Sequence, residues 1–420
     1  MPLDLILGRS RPSRGGGIGF VGRSDGTGDG EVIAYSGDGH LMTFAPTGAG
    51  KTSGPVICNA LTHPGQLIVI DIKGEIHEKT AAARRAMGQE VHVLDMRDGR
   101  PLAGSLNPLD LLSVSGTDIS AMARGFAAEL VERAAEDRDR FWSDWSEIMI
   151  TGGLAWLMAD NPPEKRTLSS LFDLFMDEDV SYRLATMLDE KRVENKTAKS
   201  AFTAFLQLSA EVTRTSVMAS VQAQLRLFDS DMVRRLTDTS SMEISKLVEG
   251  EPMTIYIIVP PLRLNAYRPL LRVWLSSLIL AMTQRQSIPK ERTLMLCDEM
   301  GNLGRVDALL MAATLMRSWG LTLWTFWQST SQLQQYGAQA ATLIDNAAVI
   351  QAFGVKNLRT ANDFVTIVGG ISAEQILAMP SDEQVLLIDG KAVRCRQARY
   401  YNDDLFMNHR GTGSARDARE

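Results

Sequence analysis

Residues 44–57, "FAPTGAGKTSGPVI", decide how this chain is read. They close an apolar run, "HLMTFA" at 40–45, and they open onto a helix-like stretch, "TSGPVICNAL". The string follows the phosphate-loop pattern G-x-x-x-x-G-K-[ST], with Ala45 in the first place and then Pro46, Thr47, Gly48, Ala49, Gly50, Lys51 and Thr52. A loop set between strand and helix can turn its backbone N–H groups onto the β- and γ-phosphates of a nucleotide. Gly48 and Gly50 allow the required backbone angles and the close approach. Lys51 is expected to reach the terminal phosphates, Thr52 to hold Mg²⁺, and Ser53 to complete the nucleotide-binding set. Ala45 fits if its φ is negative. Taken alone, the same string also reads as a Gly-rich strand-to-helix turn with an incidental Lys-Thr.

Outward from the loop the pattern is that of an α/β protein. "HPG" at 63–65 stops the first helix, with Pro55 tolerated in its first turn. "QLIVID" then reads as a buried strand ending on Asp71, "KTAAARRAMG" as a helix ending at Gly88, and "EVHVLD" as a further buried strand. Short apolar strands alternating with helices predict a mostly parallel sheet covered on both faces. The rhythm stops near "NPLDLL". From 113 to 249 the patterns are helical, and Trp142, Trp145, Met149 and Trp156 fall on roughly one helix face. Strands resume with "PMTIYIIVP", "TLMLCDE", "LTLWTFWQS", "AVIQAFG", "QVLLID" and "AVRCRQARYY". The expected organisation is a flexible Gly-rich arm over 1–36 and a nucleotide-binding domain in two parts, 37–112 and 250–406. An all-helical insertion over 113–249 separates the two parts, and a disordered tail over 407–420 follows.

The second of these strands supplies acids. "TLMLCDEMGNLGR", 293–305, ends in Asp298 and Glu299. Asp298 is placed to hold the water shell of Mg²⁺, and Glu299 to orient and polarise an attacking water, the two tasks phosphoryl transfer requires. A strand capped by surface acids is the plainer reading of this string alone. The next strand ends in Gln328 and Ser329, and Gln328 is the candidate sensor of the γ-phosphate, against a solvated strand end. Alternation puts Trp324 and Phe326 together on one buried face, as packing rather than as a stacking platform.

The 420 residues are 45% hydrophobic and 22% charged, with a formal net charge of -6. No global basic field marks a nucleic-acid binder, so any DNA contact must be local. The short basic stretches "ARR", "MVRR" and "VRCRQAR" are the local candidates, against solvated faces. Cys58, Cys297 and Cys395 are scattered and odd in number, as in reduced cytosolic proteins without a disulfide frame or zinc spacing. No stretch has the roughly 20 apolar residues of a membrane span, and "MPLDLILGRS" does not read as a signal peptide.

These motifs, in this order, resemble the conjugative type IV secretion coupling proteins, the TraG/TraD-like DNA-transfer ATPases. The resemblance rests on the loop and its helix, on D-x-K-G-E at Asp71, Lys73, Gly74 and Glu75, and on D-E-F-x-x-L-G. The last appears as Asp298, Glu299, Met300, Leu303 and Gly304, with Met for Phe. Q-S-x-x-Q-L follows at Gln328, Ser329, Ser331, Gln332 and Leu333, and the similarity runs from about 40 to 406. It implies a RecA-like P-loop ATPase with an all-helical insertion, using ATP and Mg²⁺, assembled as a homo-hexamer. It also implies transfer of DNA, single-stranded or relaxase-bound, to type IV secretion channel components. Nucleotide would sit between subunits, completed in trans by an arginine, with Arg305, Arg317 and Arg359 as candidates. Family members usually begin with transmembrane helices. This chain resembles a form without them, cytoplasmic or held at the cytoplasmic face of the inner membrane by a partner. An NTPase that remodels or delivers protein substrates without threading DNA remains open, as does a nucleotide-gated scaffold, against which intact Lys51, Thr52, Asp298 and Glu299 speak.

Overall fold

The computed structural model describes residues 4–11, 30–112, 118–131 and 140–407. Eleven strands form one sheet: β1 (Leu5–Arg9), β2 (Val32–Tyr35), β3 (His40–Phe44), β4 (Leu67–Asp71), β5 (Glu90–Asp95), β6 (Met253–Ile258), β7 (Thr293–Cys297), β8 (Leu321–Trp327), β9 (Ala347–Ala352), β10 (Glu383–Ile388) and β11 (Lys391–Arg396). Their spatial order is β2-β1-β11-β10-β9-β3-β8-β7-β4-β6-β5. From β9 to β5 every pairing is parallel. From β9 to β2 every pairing is antiparallel. The sheet is therefore mostly parallel, with an antiparallel flank on the β9 side.

The parallel strands are continuous apolar runs because both of their faces are covered. All five residues of β3, β4 and β7, and all six of β6, are buried. β5 departs from the expected buried strand: it is the sheet's edge, and Glu90, Val91 and His92 keep partial exposure. Trp324 and Phe326 stack at 5.4 Å on one buried face, as alternation requires.

After the phosphate-loop string the helix is less regular than expected. Thr52–Val56 form a wide turn in which Gly54 has non-helical angles, and regular α-helix, α1, spans only Ile57–Thr62. A side chain on Gly54 would stand 3.2 Å from the carbonyl of Ala398, so this turn takes glycine because another segment presses on it. Helix α2 (Glu75–Ala86) returns the chain to β5.

Between β5 and β6, neighbours in the sheet, the described elements over 113–249 are helical, beginning with α3 (Ile119–Leu130) and α4 (Arg140–Asp160). Their apolar residues, Phe126, Met149 and Phe202 among them, share one continuous core with Met42, Ile68 and Ile255 of the sheet. Helix Leu264–Met282 joins the two: the Trp274 indole N–H donates to Leu106 O at 2.9 Å, and Ser276 donates to Glu129 at 2.8 Å.

The expected flexible arm over 1–36 is corrected at both of its described ends. β1 is fully buried and pairs with both β2 and β11. Leu5 and Leu7 face one core, and Ile6 faces another, against Ile57, Leu61 and Phe406. Residues 12–29 of that arm, and 408–420 of the tail, lie outside the described residues. A buried bidentate ion pair ties the two ends of the chain together. Arg9 Nε donates to Asp403 Oδ2 at 2.8 Å and Arg9 Nη2 to Oδ1 at 2.6 Å, with both side chains under 10% exposed. A polar ladder crosses five strands beside it. Trp324 donates to Thr43 at 2.9 Å, Thr43 to Gln351 at 2.8 Å, Gln351 to Gln384 at 2.6 Å, and Gln384 to Leu7 O at 2.6 Å.

Truncating one partner of a buried ion pair leaves a buried charge uncompensated, which costs about 3–5 kcal/mol. Asp403→Ala is expected to lose that much in urea unfolding, and the double change Arg9→Met, Asp403→Leu to recover most of it. A loss below about 1 kcal/mol in the single variant would show that this clamp does not hold the sheet flank.

Candidate active site

Parallel strands end at the same edge, and the order β3-β8-β7 brings three chain segments together there. Phe44 pairs with Trp327 and Cys297 with Thr325, so the residues that follow, from Ala45, Gln328 and Asp298 on, emerge side by side. Ala45 is fully buried, lies outside the positive-φ residues, and donates its N–H to Trp327 O at 2.9 Å. That is the condition under which alanine serves at the first loop position. Gly48 (φ 78°) and Gly50 (φ 97°) take the left-handed angles that let the loop curl back.

The loop and the acids touch. Lys51, 5% exposed, donates from Nζ to Ala45 O at 2.7 Å and stands 3.7 Å from Glu299 Oε1. Thr52 Oγ1 donates to Asp298 Oδ2 at 3.3 Å. Glu299 has φ 55° and ψ 43°, a left-handed conformation uncommon for glutamate. That twist aims it back across β8, where Gln328 Nε2 donates to Oε2 at 2.7 Å. Gln328 is itself fixed, its backbone N–H donating to Gln332 Oε1 at 2.8 Å. Lys51, Thr52, Asp298, Glu299 and Gln328 thus form one connected set. Burial and the neighbouring Glu299 push the Asp298 carboxyl up to about 7, against the pull of Lys51.

The Thr52 hydroxyl and the Asp298 carboxylate fit a hard divalent cation sharing oxygens with a bound phosphate, since both are oxygen donors already within hydrogen-bond reach. The loop's free curl and a buried ammonium held by carbonyls fit a polyphosphate.

The family described as "Type IV secretory system Conjugative DNA transfer" matches residues 11–375. The chain belongs to this family. Protein VirD4 of Rhizobium radiobacter is 27% identical over 279 residues, 66% of this chain and 40% of that protein. The conjugal transfer protein TraG of Escherichia coli is 22% identical over 386 residues, 87% of this chain and 60% of that one. The chain thus spans about two fifths and three fifths of these relatives. Among solved structures, the plasmid coupling protein TrwB in complex with ADP and Mg²⁺ superposes with a TM-score of 0.64 at 16% identity, over 86% of this chain and 85% of that one. The shared fold is the RecA-like P-loop α/β fold with a mostly parallel sheet.

Other residues that carried the family resemblance have structural work. Asp71 accepts from the backbone N–H groups of Lys73, Gly74 and His77 at 3.3, 2.7 and 2.9 Å, capping the start of α2. Its carboxyl is raised by burial despite these bonds. The three trans-arginine candidates separate. Arg317 pairs with Asp38 at the opposite edge of the sheet, before β8 and β3. Arg305 binds Asp307 and Gln339. Arg359 is exposed in the first turn of helix Leu358–Val368, which follows β9 at the loop's own edge.

The basic stretches separate as well. Arg84 of "ARR" is fully buried, donating to Gly65 O, Gln89, Thr254 and His63 O, so it is a core residue and not a nucleic-acid contact. Arg234 of "MVRR" pairs with Asp173 and lies over Phe172. In "VRCRQAR", Arg394 binds Glu383, while Arg399 reaches the phosphate loop, a placement that no local pattern announced.

A carboxyl whose folded pKa lies above its ordinary 3.8 stabilises the native state while protonated. That contribution is complete below about pH 4 and is lost as pH rises towards about 7. The buried, neutral His40 and His63 contribute with the opposite sign over the same range in any variant, so the quantity to measure is the urea midpoint of ligand-free Asp298→Asn relative to wild type from pH 5 to pH 7.5. Asp298→Asn removes the falling contribution, so its midpoint relative to wild type should rise from pH 5 to pH 7.5. Identical slopes in both proteins would remove Asp298 from this account.

Proposed function

We propose that this chain is a Mg²⁺-dependent ATPase that couples hydrolysis to the recruitment and transfer of DNA or nucleoprotein in conjugation. The observation that carries the reading is the connected set Lys51, Thr52, Asp298, Glu299 and Gln328 at one sheet edge. Support for the substrate and process comes from family membership and from the names of its relatives.

In this reading Pro46, Thr47, Gly48, Ala49, Gly50 and Ser53 supply the backbone cradle, and Lys51 exchanges the Ala45 carbonyl for terminal phosphate oxygens. Thr52 and Asp298 would hold Mg²⁺, which neutralises phosphate charge when bound. Glu299 accepts a proton from the attacking water as it adds to the γ-phosphorus and the bond to the β-phosphate oxygen breaks. Gln328, hydrogen-bonded to Glu299, keeps that carboxylate aimed and senses whether the γ-phosphate is present. The chain works as a ring, a homo-hexamer in this reading, with single-stranded or relaxase-bound DNA and secretion channel components as partners, at the cytoplasmic face of the inner membrane. Among the described residues no helix is long and apolar enough to cross a membrane. A second reading, delivery of protein substrates without threading DNA, is favoured by one observation: Arg84 and Arg234, two of the basic candidates, are already engaged within the fold.

Lys51→Ala is expected to abolish nucleotide binding and turnover together. Glu299→Gln should keep binding and lower turnover by about 10²-fold or more, because it removes only the proton acceptor. Both are read by equilibrium binding and phosphate release. Wild-type turnover in Glu299→Gln would remove it as the base.

Arg359 is the first arginine to test in trans. Mixing Lys51→Ala chains with Arg359→Ala chains should restore part of the activity lost in each, since some interfaces then hold one intact half from each parent. Activity per chain that stays constant on dilution to monomer, with no rescue by any mixture, would show a self-contained site.

A further inference from the structure

The carboxylates and Gln328 mark one end of the candidate site, on the β8 and β7 side of β3. The other side holds a group the mechanism above leaves unused. β9 runs parallel to β3, β10 antiparallel to β9, and β11 antiparallel to β10, so β11 ends at the same edge as the phosphate loop. The chain leaving β11 then crosses back over the loop. Ala398 O lies 3.8 Å from Cys58 Sγ, and Tyr400 N donates to Ser53 O at 3.1 Å. A side chain built on Gly50 would lie 3.4 Å from the guanidinium of Arg399 and 3.4 Å from Ser53 Oγ. The guanidinium therefore sits directly over the loop, beside Gly50 and Ser53.

Among the described residues the bonds of Arg399 are all to neutral acceptors. Nη1 donates to the Tyr401 hydroxyl at 2.8 Å, and Nη2 to Ser381 O and Gln397 Oε1, each at 3.3 Å. Among the described residues it forms no ion pair, whereas Arg9, Arg394 and Arg396 nearby each face a carboxylate. The crossing segment is held down behind it by the Arg9–Asp403 pair and by buried Phe406. A half-buried guanidinium clamped over a phosphate loop, without a counter-ion of its own, suits an anion arriving on that loop.

We propose that Arg399 binds the α-phosphate of the nucleotide held on its own chain's loop, at the end of the polyphosphate away from Glu299. This rests on the nucleotide-binding reading above and adds to it a contact in cis from a segment beyond residues 11–375, the stretch that matches the family. The α-phosphate is common to di- and triphosphates, so Arg399 contributes to affinity for both and not to the water attack at the far end.

The test measures equilibrium binding of ADP and of a non-hydrolysable ATP analogue, each with Mg²⁺, to the full chain, together with turnover at saturating ATP. Arg399→Ala is expected to weaken both ligands by a similar factor, about 10- to 100-fold, the range of a charge-assisted hydrogen bond. Turnover at saturation should stay within about three-fold, and Arg399→Lys should recover part of the affinity because it restores the charge without the fork. Thermal unfolding of the ligand-free variants separates this from a folding defect, and Arg399→Gln, which keeps hydrogen-bonding capacity for Tyr401, serves if alanine destabilises. Unchanged ADP affinity in folded Arg399→Ala or Arg399→Gln would overturn the proposal. So would a loss confined to the ATP analogue, which would place the contact at the γ-phosphate. Failure of the wild-type chain to bind either ligand would instead overturn the nucleotide-binding reading itself.

Discussion

The buried ammonium of Lys51 is the constraint around which the rest of the site is arranged. A cation that is 5% exposed needs compensation within reach, and here it has the Ala45 carbonyl at 2.7 Å and the Glu299 carboxylate at 3.7 Å. Those two partners come from different strands, β3 and β7, with β8 between them. Strand register therefore sets the distance between cation and acid, and a shift of one residue would turn each side chain to the other face. The left-handed turn at Glu299 completes the arrangement by folding the carboxylate back across β8 to Gln328. Local strain of this kind persists only where its surroundings over-determine it. Buried Met300 on one side and the Gln328 amide on the other supply that here.

The antiparallel flank is the second support. β3 has β9 as its other neighbour, and the ladder Trp324–Thr43–Gln351–Gln384–Leu7 carries hydrogen bonds from β8 through β3, β9 and β10 to β1. Every polar group in such a buried chain must be satisfied, so the ladder fixes the strands relative to one another more sharply than apolar packing does. The chain ends close it: β1 takes its place beside β11, and Arg9 reaches Asp403, 394 positions away in sequence. The segment between β11 and Asp403 is consequently pressed onto the turn at Gly54.

What could be read from the sequence divides along the same lines. The loop, the Asp298–Glu299 strand and Gln328 were legible because each is a local pattern, an apolar run with a fixed chemical ending. The order in which they recur carried the family resemblance. Residues 5–9 were not legible as a strand. Their five-residue run is short, ends in Gly8 and Arg9, and is followed by a Gly-rich stretch, so its burial depends on partners at the far end of the chain. The irregular turn at Thr52–Val56 was hidden for the same reason, since Gly54 answers to the Ala398 carbonyl and not to its neighbours. β5 read as buried because its composition is apolar enough, but edge position is a property of strand order. Basic stretches were the least informative: Arg84 and Arg399 lie in similar strings, yet one is in the core and the other over the phosphate loop.

The same long-range logic bears on how the helical insertion can respond to the site. An insertion with its own closed core could swing on its two linkers. Here Phe126, Met149 and Phe202 belong to the core that also contains Ile68 and Ile255, and Trp274 and Ser276 bind Leu106 and Glu129 from the helix that follows β6. Close-packed interiors do not deform continuously, so swinging the insertion away from the sheet would have to open apolar surface. Small sliding of packed helices against helix Leu264–Met282 exposes no such surface. That helix starts after β6, at the sheet edge where β7 and β8 also end, and its Arg268 lies against Gly304 in the segment that follows Glu299. The insertion and the segment that follows the acids thus both lie against one helix, Leu264–Met282.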